Sequence, residues 1–289
     1  MCEVTNIASI ASYDHMSKIR VVILIALLLH GDELCAQHQD ARSPASLDAR
    51  ELQAILDTLY DPLSNQQERD RVAAKLRNLG TNCLPLLMKE MKAIDGIEAT
   101  NVMAAMTRKA KVQAAFEVLA SQAKPLLPEL MAEFNAGRTL GTAPHALARI
   151  GGNEAGLTLV RALTNADPRI RMAAASSVQY FTNNASIRSA AVEPLLLLLR
   201  DLSGPARSMA ANTLGTLAAA RETVVPALLQ AAESDPDSVV RAVAIKSIGR
   251  FGTNALTAQP RLEKIAKSDP DEHVRKMAVQ ALQVIRREE

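Results

Sequence analysis

Aromatic side chains are nearly missing from this chain: four Phe, three Tyr and no Trp make up 2% of 289 residues. That shortage weighs against stacked bases, sugar platforms and aromatic-anchored hot spots. Charge of one sign is scarce as well. A formal balance of +2 is too weak for a dedicated phosphate-binding surface, so no nucleic-acid partner is expected. Strand-type alternation is missing throughout, and the apolar spacing is helical. Cysteines number three, and of these Cys2 and Cys35 lie in the first 36 residues. The remaining Cys83 alone forms no internal disulfide and suits a helix as a small apolar residue.

What the chain has instead is a repeat. The stretch from Asp235 to Gly252, DPDSVVRAVAIKSIGRFG, recurs as DPDEHVRKMAVQALQVI from Asp269, GPARSMAANTLGTL from Gly204 and DPRIRMAAASSVQYF from Asp167. Each copy starts a helix and presents an Arg, then a small Ala, then a branched apolar residue. The arginines Arg171, Arg207, Arg241 and Arg275 are spaced by 36, 34 and 34 residues. A fixed step in this range marks stacked two-helix units, each burying its face only against its neighbours. The hydrophobic share of 48% suffices for such a continuous core.

The N-terminus reads as a leader. Lys18 and Arg20 precede the apolar run Val21–Leu29, which is too short to span a bilayer, where about 18 residues are needed. A basic start, a short apolar run and a polar stretch ending in a small residue describe a secretory signal. Leu34-Cys35-Ala36 places cleavage after Ala36, with Met16 rather than Met1 as a candidate true start. Residues 1–36 are thus expected to be a signal peptide and 37–46 a flexible lead-in. The mature chain, 47–289 in its folded part, is then exported to the periplasm or beyond, with no integral membrane span.

Helices follow in order. Leu47–Tyr60 carries an apolar stripe of Leu52, Ile55, Leu56 and Leu59. Gln66–Leu79 is its partner, closed by Gly80. A new helix begins near Asn82 with Pro85 in its first turn. Ala93–Ser121 is the least regular stretch. Asp95-Gly96 is a turn signal, followed by one helix from Ile97 to Leu119 or two split near Thr107. Leu126–Phe134 and Leu140–Ile150 come next. Then Glu154–Leu163 pairs with Pro168–Phe181, Ile187–Arg200 with Pro205–Ala219, Thr223–Glu233 with Pro236–Arg250, and Ala255–Ala266 with Pro270–Ile285. The total is about seven pairs.

The repeat chemistry is interpretable. Asp235 and Asp269 suit N-caps, with Pro236 and Pro270 at the first helical position. Ala174, Ala210, Ala244 and Ala278 sit where two helix axes approach. The four repeat arginines stand at the unfavourable end of the helix dipole. The loop aspartates Asp167, Asp201, Asp235 and Asp269 are their expected partners, in the same or an adjacent unit.

With Pro194, Pro226 and Pro260 in the first helices, Asp-Pro in the turns and Val-Arg-x-x-Ala-x-x-x-Ile-Gly in the second, the chain resembles HEAT repeats. The phycobilisome-lyase-type bacterial subgroup is the nearest pattern. The resemblance is strong over Glu154–Ile285, fair over Leu47–Met91 and poor between. It implies an all-α, right-handed α-solenoid whose second helices line the concave face, and an aspartate–arginine ladder. Fold alone implies little about function.

Catalytic patterns are missing. Deoxyhypusine hydroxylases are similar in having HEAT repeats, but their iron needs His-Glu pairs, which this chain lacks. His38, His145 and His273 stand isolated in sequence, so neither metal nor cofactor is expected. Gly151–Gly156 follows a helix and lacks the ending of a phosphate loop. The expected function is a non-catalytic scaffold holding a protein or peptide. An enzyme of lyase or hydrolase type within 95–138, and a purely structural envelope component, are the alternatives. Positions one, five and nine residues after each repeat Arg share a helix side. They are Met172, Ser176, Tyr180; Ser208, Asn212, Thr216; Ala242, Lys246, Arg250; and Lys276, Gln280, Val284. If the second helices line a concave groove, this stripe faces it, and Lys246, Arg250 and Lys276 favour an acidic partner segment.

Overall fold

A computed structural model describes residues 47–98 and 101–286. The leader, the Met16 start and the lead-in all lie outside the described residues. The chain divides into two units, Met1–Leu47 and Asp48–Glu289. All described helices belong to the second.

That unit is built from fourteen α-helices, with no strand among the described residues. They are α1 Ala49–Tyr60, α2 Gln66–Leu79, α3 Leu84–Glu98, α4 Val102–Leu119, α5 Leu127–Asn135, α6 Ala143–Ile150 and α7 Gly152–Ala162. Then follow α8 Pro168–Val178, α9 Ala185–Leu198, α10 Gly204–Leu217, α11 Arg221–Ser234, α12 Ser238–Gly249, α13 Gln259–Ser268 and α14 Glu272–Ile285. Consecutive helices pack in twos, and the second members α4, α6, α8, α10, α12 and α14 stack in series. The architecture is an all-α solenoid.

Small residues set the approach of the stacked helices. Ala174, Ala210, Ala244 and Ala278 are all 0% exposed, as are Val240 and Ile248. Gly215 of α10 crosses closely on Ser247 of α12. A Cβ at Gly215 would lie 2.5 Å from the Ser247 Cβ and 2.8 Å from its Cα. Thr213 adds a cross-unit hydrogen bond, donating from Oγ1 to the Ala175 carbonyl at 2.9 Å. Ser247 Oγ is the one fully buried side-chain oxygen without a partner among the described residues.

Two expectations fail in the irregular stretch. Asp95-Gly96 does not turn the chain, because α3 runs on to Glu98. The turn signal is outweighed by Leu87, Met88, Met91 and Ile94, which bury one continuous face; a Gly inside a helix costs only about 1 kcal/mol. The next helix starts at Val102, not Ile97, and is unbroken at Thr107. Its buried Ala105, Val112, Phe116 and Leu119 follow helical spacing, and Asn101 caps it by accepting the Ala104 N–H at 3.0 Å.

The caps also differ from expectation. Helices α12 and α14 begin two residues beyond the expected prolines. Their N-caps are Asp237 and Asp271, which accept the N–H groups of Val239 (2.9 Å) and His273 (2.7 Å). Asp235 and Asp269 instead end the preceding helices in extended backbone. Each uses Oδ1 to accept the N–H two residues on, at 3.0 and 2.9 Å, which holds the turn.

Those turns carry the ladder. Arg171 grips Asp201 from the next unit through Nε (2.9 Å) and Nη2 (2.6 Å). Arg207 grips Asp235 at 2.7 and 2.8 Å, and Arg241 grips Asp269 at 2.9 and 3.0 Å. The Nη1 of each donates to carbonyls of its own turn: Asn165 and Ala166, Asp201 and Leu202, or Asp235. One guanidinium thus fixes its own turn and the next one. Asp167 is not a rung. It caps α8 and pairs with exposed Arg169 at 2.7 Å. Counting back six residues from each repeat Arg places Asn165 in the rung position, and its Oδ1 accepts the Asp167 N–H at 2.8 Å as Asp235 does for Asp237.

Two stability tests follow from this packing. Gly215→Ala meets backbone that cannot yield and should destabilise by about 1–3 kcal/mol. Ser247→Ala removes an unpartnered hydroxyl and should be neutral or stabilising by up to about 1 kcal/mol, read by denaturant unfolding. The ladder is pH-dependent. Burial alone raises the Asp235 carboxyl, but the Arg207 guanidinium and the Asp237 N–H outweigh it and hold it below the usual carboxylate range. Burial likewise opposes, and the Ser203 N–H and Arg171 overcome, the same shift at Asp201. A lowered folded pKa gives stability that is complete above the unfolded value of about 3.9 and lost as pH falls through the folded one. Unfolding curves should therefore weaken below about pH 4 less steeply in Asp235→Asn than in the parent. That variant should itself cost about 2 kcal/mol at neutral pH.

Candidate functional site

The stripe defined by the repeat register lies along the stacked second helices, and the structure divides it into unlike parts. Met172, Ser176, Ser208, Asn212 and Thr216 are half-buried, while Tyr180, Lys246, Arg250, Lys276, Gln280 and Val284 are exposed. Ala242 is 4% exposed and belongs to the core, against the expectation that the whole stripe stands clear of it.

The three cations differ in availability. Arg250 is taken up by the chain itself, since its Nη1 donates to the Asn212 carbonyl (2.9 Å), Asn212 Oδ1 (3.0 Å) and Thr216 Oγ1 (2.9 Å). It ties the end of α12 back to α10. Lys276 pairs with Glu272 one turn earlier at 2.6 Å. Lys246 has no ion pair among the described residues. The expected basic triad is therefore one free cation and two engaged ones, because each long side chain at a helix end finds a carbonyl or carboxylate of its own neighbourhood.

Beside Lys246 the α10–α12 junction opens into a depression of about 480 Å³. Ser208, Met209 and Asn212 line one side, and Val239, Val243 and Lys246 the other. Val239 is 60% exposed. Gly204, Pro205 and the Asp237 carboxylate complete the lining, so an apolar floor carries one cation and one anion at its rim. A second opening, about 670 Å³, lies between the first helices α9 and α11 around Leu197, Arg200 and Leu202.

Tyr180 lies in a cluster that the sequence did not disclose. Its ring meets His145 of α6 edge-on, with centroids 5.6 Å apart, and Arg149 lies 4.4 Å over its face. Arg149 Nη2 holds Glu117 of α4 at 2.8 Å, and its Nε faces His145 Nε2 at 3.4 Å. His145, isolated in sequence, is thus surrounded. Helix α6 lacks the Val-Arg-x-x-Ala register, so the stripe could not be extended back to it. The i, i+4 pair His145 and Arg149 was the available signal. Burial, then the adjacent Arg149, push the imidazole down; Glu117 acts in the opposite sense and Lys109 adds to the lowering. No group of three or more His, Cys, Asp or Glu among the described residues could hold a metal ion. No helix among them is long and apolar enough to cross a membrane.

Known proteins place the chain in a class. Residues 192–283 match the HEAT repeats family. Those residues, from α9 into α14, carry HEAT repeats, and the helix pairs before them have the same stacked two-helix build. No curated protein matches it. Among solved structures it is similar to an engineered protein at 18% identity, covering 81% of this chain and 96% of that one, with a TM-score of 0.41. A second engineered protein shares 20% identity over 82% of this chain and 68% of its own, with a TM-score of 0.43. Human deoxyhypusine hydroxylase in complex with glycerol shares 18% identity over 82% and 96%, with a TM-score of 0.38.

The His145 cluster gives a direct test. By NMR, the His145 titration midpoint should fall below the ordinary value of about 6.5. Arg149→Met should raise it and Glu117→Gln should lower it further. A midpoint that ignores both variants contradicts the packing described.

Proposed function

We propose that this protein is an exported, non-catalytic scaffold that holds a protein or peptide on the face of its second helices. The observation that carries the reading is the α10–α12 depression, where exposed Val239 and unpaired Lys246 share one rim. Rigid stacked helices on either side suit a preformed groove, which spares an incoming segment the cost of ordering its receptor. Lys246 calls for an acidic residue in that segment, seated away from Asp237 of the same lining, whose Oδ1 is taken up in capping α12. Export rests on Lys18, Arg20 and the run Val21–Leu29 before Ala36, and directs the protein to the periplasm or beyond. The enzyme reading for 95–138 has less support. The carboxylates Glu117, Glu129 and Glu133 of that stretch are each engaged by a cation, Arg149, Lys92 and Arg138 respectively.

Photo-crosslinking residues at Ser208 and Val239 should capture a discrete partner, and one at Leu197 on α9 should not. Lys246→Glu should weaken that capture about tenfold, as for loss of one attractive pair plus repulsion. Equal capture from Leu197 would move the binding face to the first helices. A reporter fused behind residues 16–36 and retained in the cytoplasm would remove export.

A further inference from the structure

The ladder has an unused half at Arg275, and the first helix pair, far outside the ladder, carries an aspartate built like a rung. Arg275 occupies the repeat-arginine place in the last described helix pair. Its Nη1 donates to the carbonyls of Asp269 (2.7 Å) and Pro270 (3.1 Å), as the other three do in their own turns. Its Nε and Nη2, the pair that grips the next aspartate elsewhere, have no partner among the described residues. The side chain four residues on makes the same point. Ala175, Ala211 and Ile245 hold that place in the inner units and are 0% exposed. Val279 holds it beside Arg275 and is 46% exposed. Both line one depression on α14.

At the other end stands Asp61, in the turn between α1 and α2. It ends α1 with φ −64° and ψ 117°, close to Asp235 at −66° and 132° and Asp269 at −63° and 134°. Its Oδ1 accepts the Leu63 N–H at 2.9 Å, the same contact that Asp201, Asp235 and Asp269 make. Pro62 follows it, as Pro236 and Pro270 follow the rungs. Asp61 is exposed and meets no cation among the described residues, and Leu63 beside it is 91% exposed.

We propose that these two ends fit each other in different molecules: Arg275 of one copy grips Asp61 of a second, continuing the ladder head to tail. The occupant is a second copy because both halves of the contact are present on this chain, in the order the ladder requires, with an exposed apolar side chain beside each. The outer surface of α2, rich in Arg, Gln and Glu, keeps the contact mainly polar, so the association is weak and reversible. A head-to-tail contact of this kind does not close on itself as a two-fold dimer does.

Sedimentation equilibrium of the full chain across micromolar to millimolar concentration tests this. The parent should rise in mass past the dimer. Arg275→Ala and Asp61→Ala should each stay monomeric, because each lacks one end. An equimolar mixture of the two should form dimers and nothing larger, because one intact junction remains and both outer ends are dead. Val279→Glu, which leaves the Arg275 turn contacts in place, should lose association like Arg275→Ala. A parent that stays monomeric, a parent that stops at a dimer, single variants that associate like the parent, or a mixture that stays monomeric would each overturn the proposal.

Discussion

A guanidinium that must satisfy two turns at once is the constraint on which the C-terminal units depend. The repeat arginine enters near a helix N-terminus, where a cation is poorly placed. It is also largely withdrawn from water, with the Arg207 side chain 13% and its partner Asp235 6% exposed. Such a charge is tolerated only when its hydrogen bonds are complete. The carbonyls of its own turn and the carboxylate of the next complete them. The spacing of units, the extended backbone at Asp235 and Asp269, and the late start of α12 and α14 all follow from keeping that geometry.

The ladder does not run through the whole unit. Between α1 and α6 its work is done by individual pairs: Lys111 with Asp57 at 2.7 Å, Lys92 with Glu129 at 2.7 Å, and Arg108 with Glu90. These are more exposed and join helices rather than turns. The tight crossing of Gly215 on Ser247 also belongs to the C-terminal units. Stability of a stacked array is a sum of unit and neighbour terms, so the two halves are held by different means.

Sequence reasoning reached the helix pairs because apolar spacing and punctuation agreed over long stretches: α2 begins and ends where Gln66 and Leu79 place it. It misplaced Asp235 and Asp269 because an Asp-Pro step reads the same whether the Asp caps a helix or ends one. Asp167-Pro168 caps, and Asp235-Pro236 does not, and the difference lies in a two-residue offset to the Arg. It overestimated the basic face because charge counting cannot tell that Arg250 is spent on Asn212 and Thr216. It missed His145 because contacts between α4, α6 and Tyr180 span units whose register the sequence does not repeat.

The double grip of the repeat arginines has a kinetic consequence. The turns flanking α10 and α12 are fixed from both sides, by Arg171 and Arg207 below and by Arg241 above. Opening the α10–α12 depression would require breaking a rung, so its width is set before anything arrives. Under the proposed scaffold role, entry of a segment would then be limited by encounter and orientation rather than by rearrangement of the receptor, and its residence time by how well the segment itself fits.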